Sequence, residues 1–274
     1  MTNGRRAVFA CALLLAGPAT LAQDIVNPVV DGDSVRADIE VGGLSANLVV
    51  RFENVVGLSA SSLGLSARAL DPLAVDLLSR LGSGVSLPAA FPLAVRIEPP
   101  ASGGLSFSGV VSIELYTHDL QYTVGSPLRL FSAPVGGSFG DITTSLGSGS
   151  VRSGGTKPDF SEFLIVADVR PLGTVIDSKY AQLSTLLSRH APSMSGELNA
   201  ELQGLRSASE QSWRSGATVA AITYIEVFAE KVKAHSGELP DVWRSSRDVT
   251  NVAGALRAAA ATLRFSLTLA SNAS

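Results

Sequence analysis

Val35-Arg36-Ala37-Asp38-Ile39-Glu40-Val41 is followed by Gly42-Gly43 and then, three residues on, by Asn47-Leu48-Val49-Val50-Arg51-Phe52. Apolar side chains fall at every second position before the Gly pair. That is the period of a strand with one face buried, and two such runs around a Gly-Gly pair predict a β-hairpin. The same grammar, punctuated by Gly, Ser and Pro, continues to about Arg170. Further strand candidates lie at 63–70, 91–98, 110–117, 128–131 and 163–169. Between the first two, Asp71-Pro72 has the form of an N-cap and first helical position, opening a short helix through Leu81. Short strands at this spacing predict an antiparallel β-sandwich over residues 23–170.

Beyond Val175 the period changes. Ile176, Tyr180, Leu183, Leu187 and His190 are spaced by fours and threes, the signature of one apolar helix face. Leu198, Leu202 and Leu205 mark a second helix ending near Gly216. Ile222, Ile225, Phe228 and Val232 mark a third, stopping at Ser236-Gly237. Val249, Val252, Leu256, Ala260, Leu263 and Leu267 mark a long fourth. Residues 171–274 therefore read as an antiparallel four-helix bundle, with the junction at Arg170-Pro171-Leu172-Gly173. The fold class expected is α+β, a multi-domain chain with the sandwich first and the bundle second.

Composition narrows the function. The 274 residues are 46% hydrophobic and 16% charged, enough apolar material for a sizeable core. A formal charge of −3, with the acidic excess in residues 23–170, offers no basic footprint and argues against nucleic acid as a partner. One Cys and three His are too few for a zinc or Cys/His metal scaffold, so neither cofactor nor metal is expected.

The start of the chain carries an address. Arg5-Arg6 precede an apolar run from Ala7 to Ala16, a Gly17-Pro18 break, and Thr20 and Ala22 as small residues ahead of Gln23. This is the pattern of a secretory signal peptide over residues 1–22. The run is too short to cross a bilayer as a helix, and no later stretch is apolar enough to do so. Cleavage after Ala22 removes Cys11. A periplasmic or secreted protein is the expectation, with no transmembrane segment in the mature chain.

Two resemblances fit this division. Ala221-Ile222, Ile225-Glu226-Val227-Phe228-Ala229, Val232 and Ala234-His235-Ser236-Gly237 resemble the FIMAH-type helical module of exported and cell-surface proteins. Ala229 stands where that module usually has Ile, and its acidic segment is reduced to Glu238. Leu128-Arg129-Leu130-Phe131, Asp141-Ile142-Thr143 and Phe160-Ser161-Glu162-Phe163 are similar to sandwich modules of exported bacterial proteins. Together the halves resemble an uncharacterised family of exported proteobacterial proteins, which implies location and architecture and brings no catalytic residues.

Few residues of the sequence have the types and spacing that catalysis needs. Gly136-Gly137-Ser138-Phe139-Gly140 matches the hydrolase elbow Gly-x-Ser-x-Gly, but no helical pattern comes after Ser138, so a chance match in a loop is the reading. His118 adjoins Asp119 at a strand end. His190 precedes Ala191-Pro192, and His235 precedes Ser236-Gly237, both in helix-end positions that the dipole favours. Glu98, Glu114, Asp119, Asp141, Asp159 and Glu162 are read as keeping turns and strand faces solvated, with no two assignable to a glycosidase pair. Asp31-Gly32-Asp33-Ser34 lacks the further ligands of a calcium loop and reads as a polar turn. The stretch from Gly147 to Gly155 lacks the phosphate-loop ending and reads as a flexible loop. Trp213 and Trp243 read as rings closing the ends of the helical core. The expectation is a non-enzymatic exported binding or assembly module of the bacterial cell envelope, with a protein or cell-surface glycan as partner. The alternative is an envelope hydrolase with a site at Ser138 or between the two domains.

Overall fold

Val35, Ala37, Ile39 and Val41 are buried and the residues between them exposed, which sets one face of the hairpin against a core. They belong to a computed structural model that describes residues 25–123, 125–147 and 150–273; the signal-peptide reading of residues 1–22 lies outside the described residues. Strand β2 (Ser34–Val41) pairs antiparallel with β3 (Leu44–Val56), and the turn works because Gly42 and Gly43 both adopt positive φ. On one side β2 pairs with β1 (Ile25–Asp31); on the other, β3 pairs with β7 (Ser106–Gln121). The first sheet continues through β11 (Ser150–Lys157) to β10 (Thr143–Gly147).

The second sheet runs β4 (Leu65–Ala69), β6 (Leu93–Ile97), β12 (Glu162–Asp168), β8 (Leu128–Ala133) and β9 (Gly140–Asp141), with β5 (Val85–Ser86) also on β12. Its strands, like those of the first sheet, are antiparallel. Leu48, Val50, Ile113 and Leu115 of one sheet meet Leu93, Val95, Leu130, Phe163 and Ile165 of the other, a sandwich core made by strand alternation. The far face of the second sheet is also apolar, through Ala94, Phe131, Leu164 and Val166, and the short helix α1 (Val75–Arg80) covers it with Leu77.

Helices α2 (Leu172–His190), α3 (Gly196–Arg214), α4 (Thr218–Ala234) and α5 (Val252–Ala273) complete the chain. Ile176, Tyr180, Leu183, Leu187, Ile225, Phe228, Val232, Leu256, Leu263 and Leu267 fill the space between them, each at most 1% exposed. The four-helix bundle sits after the sandwich, and the fold is α+β. Buried Tyr180 on α2 bonds Ser209 of α3 at 2.6 Å, and Ser209 in turn donates to the Ala221 carbonyl of α4 at 2.8 Å, so one short relay ties three helices.

Four local readings need correction. Asp71 and Pro72 form a turn, and the short helix begins only at Val75, with no side chain capping it. The Gly-rich stretch from Gly147 to Gly155 is not a flexible loop over its described part: it ends β10 and supplies most of β11. A Cβ on Gly155 would lie 2.5 Å from the Ile142 carbonyl oxygen, so the glycine is there for close approach of a crossing segment. Val249 is not the first residue of the last helix, which begins at Val252. Trp243 does not close the helical core. It lies in β13 (Val242–Arg244), which pairs with the start of β7, and its ring stacks on Phe107 at 5.3 Å inside the sandwich cluster. Trp213 does pack against the helical core. The connection between α4 and α5 therefore contributes a strand to the first sheet, and α5 lies against β7, β10 and β11.

Candidate functional site

Ser138 sits exposed in the turn between β8 and β9. The chain leaves that turn as a strand, Gly140–Asp141, where a hydrolase elbow would enter a helix. Arg80 holds the turn: its Nε donates to the Gly137 carbonyl at 2.7 Å and its own carbonyl accepts from the Phe139 amide at 2.9 Å. No His is among these partners. His118 lies on β7 and bonds the Tyr116 hydroxyl at 3.0 Å, while His235 bonds the Lys231 carbonyl at 2.9 Å at the end of α4. The three histidines are on separate elements and are not brought together. Asp31 and Ser34 form the β1–β2 turn, with Ser34 Oγ donating to the Asp31 carbonyl at 2.8 Å. No cluster able to hold a metal ion occurs among the described residues.

Two of the carboxylates do not keep surfaces solvated. Glu162, 4% exposed, is gripped by Arg68 at 2.8 Å and Arg80 at 2.7 Å; burial works against its charge, but the two guanidinium groups outweigh it and hold its pKa below the usual range. Asp141 is buried where α2 meets the sandwich. Burial acts to raise its pKa, yet the Lys179 ammonium at 2.6 Å, together with bonds from Lys179 and Thr143, holds it low. Lys179 also donates to the Thr262 carbonyl at 3.0 Å and Ser266 Oγ at 2.8 Å, so all three of its protons are placed. Both pairs are pins between elements: burying such charges is tolerable only because every charge has its partner. Helix spacing carried a signal for Lys179, which lies three residues after Ile176 on the buried face; its partner on a strand edge carried none.

The site with room for a ligand is a cleft of about 630 Å³ where the sandwich meets the helices. That lies inside the range of ~300–1,000 Å³ typical of small-molecule sites. Ile97 and Glu98 at the end of β6 and Pro158 to Ser161 ahead of β12 form one wall; Pro134 and Val135 of the β8–β9 turn stand beside it. Leu186, Arg189 and His190 come from the last turn of α2, and Trp243, Arg247, Val249 and Asn251 from the segment around β13 leading into α5. The position is a product of the topology: β13 crosses to β7 and forces the α5 entry past the end of the sheet. Trp243, stacked on Phe107 and edge-on to Phe160 at 5.2 Å, forms the floor.

The charges of this cleft are unevenly partnered. Glu98 is shared between Arg96 and Arg247, the latter at 3.6 Å, and Asp159 pairs with Lys157 at 2.9 Å. Arg189 is exposed and forms no ion pair with a carboxylate among the described residues. Beside it, His190 is half-buried; burial and then the Arg189 charge push its pKa below the ordinary histidine value. Ser161 lines the same cleft, but no hydroxyl or carboxylate of the described residues hydrogen-bonds the His190 ring, the contact a nucleophile–base pair requires. The chemistry available is apolar contact along about half of the lining, the paired carboxylates Glu98 and Asp159, and a cationic corner at the end of α2. The sequence marks His190 as a helix end through Ala191-Pro192, whereas Arg189 carries no signal of its own, since a cation in a last turn is ordinary.

A second groove of about 550 Å³ lies between α4, α5 and the first sheet. Its arginines are committed, Arg257 to Glu53 at 2.5 Å and Arg264 to Glu226 at 3.2 Å. Among the described residues no helix is long and apolar enough to cross a membrane. A family model described as a family of unknown function, DUF6689, matches residues 10–271. No curated protein matches the chain.

Proposed function

Since the chain belongs to the DUF6689 family, whose function is unknown, we propose that it is an exported, non-enzymatic binding module of the bacterial cell envelope whose ligand sits in the cleft between sandwich and helices. The observation that carries the reading is the cleft itself, with Trp243 as its floor and an uncommitted cation, Arg189, at its edge. A buried aromatic floor with a few polar groups converging on it is the usual form of a ligand site. Export rests on the Arg5-Arg6 and Ala7–Ala16 pattern, with Gln23 as the mature N-terminus. The FIMAH-like reading of the helical half is supported by the inward stripe of Ile225, Phe228 and Val232 on α4.

The test has two parts. N-terminal sequencing of the protein from its native host should return Gln23; Met1 on a cytoplasmic protein refutes export. Protein recovered from the envelope fraction should then carry a ligand detectable after denaturation by mass spectrometry. Ala255→Trp, which fills the cleft from α5, should lose it while melting like the parent. A ligand retained by Ala255→Trp moves the site elsewhere. One observation favours the hydrolase as second reading: Ser161, His190 and Asp159 share the cleft. Esterase, glycosidase and peptidase turnover abolished by His190→Asn, or by Ser138→Ala for the turn site, would replace the binding module with an enzyme.

A further inference from the structure

Resting on the cleft as the ligand site, we infer that it takes a single-chain amphiphilic oxyanion, an aliphatic tail ending in a carboxylate or a phosphate, with Arg189 as the anchor of the charged end. The cations of the cleft explain the charge. Glu98 lies between Arg96 and Arg247, and Asp159 pairs with Lys157, so the fixed carboxylates are neutralised from within the protein; of the two arginines that line the cleft, only Arg189 has no carboxylate partner among the described residues. Arg189 is left over. Its guanidinium presents a planar fork of donors suited to two oxygens of one carboxylate or phosphate. An ordinary surface arginine is also left over at many places on a protein, but this one borders a cleft, with a half-buried His190 next to it.

The walls explain the tail. Trp243 is 6% exposed and offers only part of its ring, and half-buried Phe160 stands edge-on to it. The most exposed apolar side chains of the lining are aliphatic: Val135 is 55% exposed and Val249 36%, and Leu186 is half-buried. Uncovered valines at a cleft mouth mark a surface that gains from being covered by a flexible chain. A short anion alone would leave these walls wet, and a neutral chain alone would leave Arg189 unanswered.

The experiment uses the full mature chain carrying Trp213→Phe, which leaves Trp243 as its single tryptophan. The probes are octanoate, octyl phosphate, acetate and neutral octyl glucoside, each below its aggregation concentration, followed by Trp243 emission and by calorimetry. The expected result is saturable binding of octanoate or octyl phosphate, the tighter of the two identifying the headgroup, with acetate and octyl glucoside at least tenfold weaker. Arg189→Gln, at an exposed position that leaves folding alone, should weaken the preferred probe by roughly tenfold or more. Arg189→Lys should recover part of the loss. Octyl glucoside binding as well as the anions, or Arg189→Gln having no effect, overturns the oxyanion inference while leaving the cleft as a ligand site. If no probe binds although Ala255→Trp still strips a native ligand, the ligand class is wrong and the site reading survives.

Discussion

Asn251 ties the first turn of α5 to a bulge in β7: its Nδ2 donates to the Gly109 carbonyl at 2.6 Å while its Oδ1 accepts from the Gly254 amide at 2.7 Å. One buried side chain therefore caps a helix and satisfies a strand carbonyl. Gly109 can turn this carbonyl inward because it adopts φ +75°, and because a Cβ there would collide with Glu53, which is held by Arg257. Asn251→Ala should cost a cap of ~1 kcal/mol plus the penalty of an unsatisfied buried carbonyl of ~1–3 kcal/mol. Asn251→Asp keeps the cap oxygen and sets a carboxylate against the Gly109 carbonyl, so it should recover little. Urea denaturation of the three proteins measures both.

Lys179 and Asp141 should behave as a unit. Lys179→Met leaves a buried carboxylate without its cation and should destabilise by ~3–5 kcal/mol. Adding Asp141→Asn, which keeps the bond from the Thr143 amide, removes the orphaned charge and should return much of the loss. A double-mutant cycle in which the two changes simply add would show that the pair contributes no coupling.

Phe228 is fully buried between the helices and Glu230 is exposed on the same helix. Phe228→Ala should cost ~3–5 kcal/mol, and Glu230→Ala no more than ~0.5 kcal/mol. Thermal melting of the whole chain is the right comparison, because β13 lies between α4 and α5 and pairs outside the bundle.

The Tyr180 phenol gives a pH signature. Burial first, against the bond to Ser209, pushes its pKa up to about 12. An unfolded tyrosine ionises near pH ~10. Between these values the unfolded state holds fewer protons than the native one, so stability falls as pH rises through this window. Below pH ~10 the contribution is fully present. Tyr180→Phe should lower stability at neutral pH, through loss of the Ser209 bond, and flatten the decline between about pH 10 and about pH 12 measured by urea denaturation.

Where one face of an element meets the core, the sequence was readable. The alternation of β2 and the three–four spacing of α2 and α4 each arise from a single buried side, and their inward residues came out as expected. Legibility failed where an element depends on a distant partner. Gly154 and Gly155 have no side chains to alternate, so β11 carries no pattern of its own and exists because β7 and β10 flank it. The three residues of β13 are too few for any period, and Trp243 inherits its surroundings from β7. The cleft was invisible for the same reason. Its lining comes from several segments of both halves, and Arg189 differs from other last-turn cations by the cleft it borders.

The placement of β13 also bears on the order in which the chain can finish folding. Trp243 covers Phe107 from a segment synthesised long after β7 has been made, with strands β8 to β12 and three long helices coming between them. Until that segment arrives, the start of β7 lacks its last partner and its aromatic cover. Contacts so remote in sequence carry a large loop-closure cost and slow the search for the native state. A nascent chain halted anywhere before Trp243 cannot complete its first sheet.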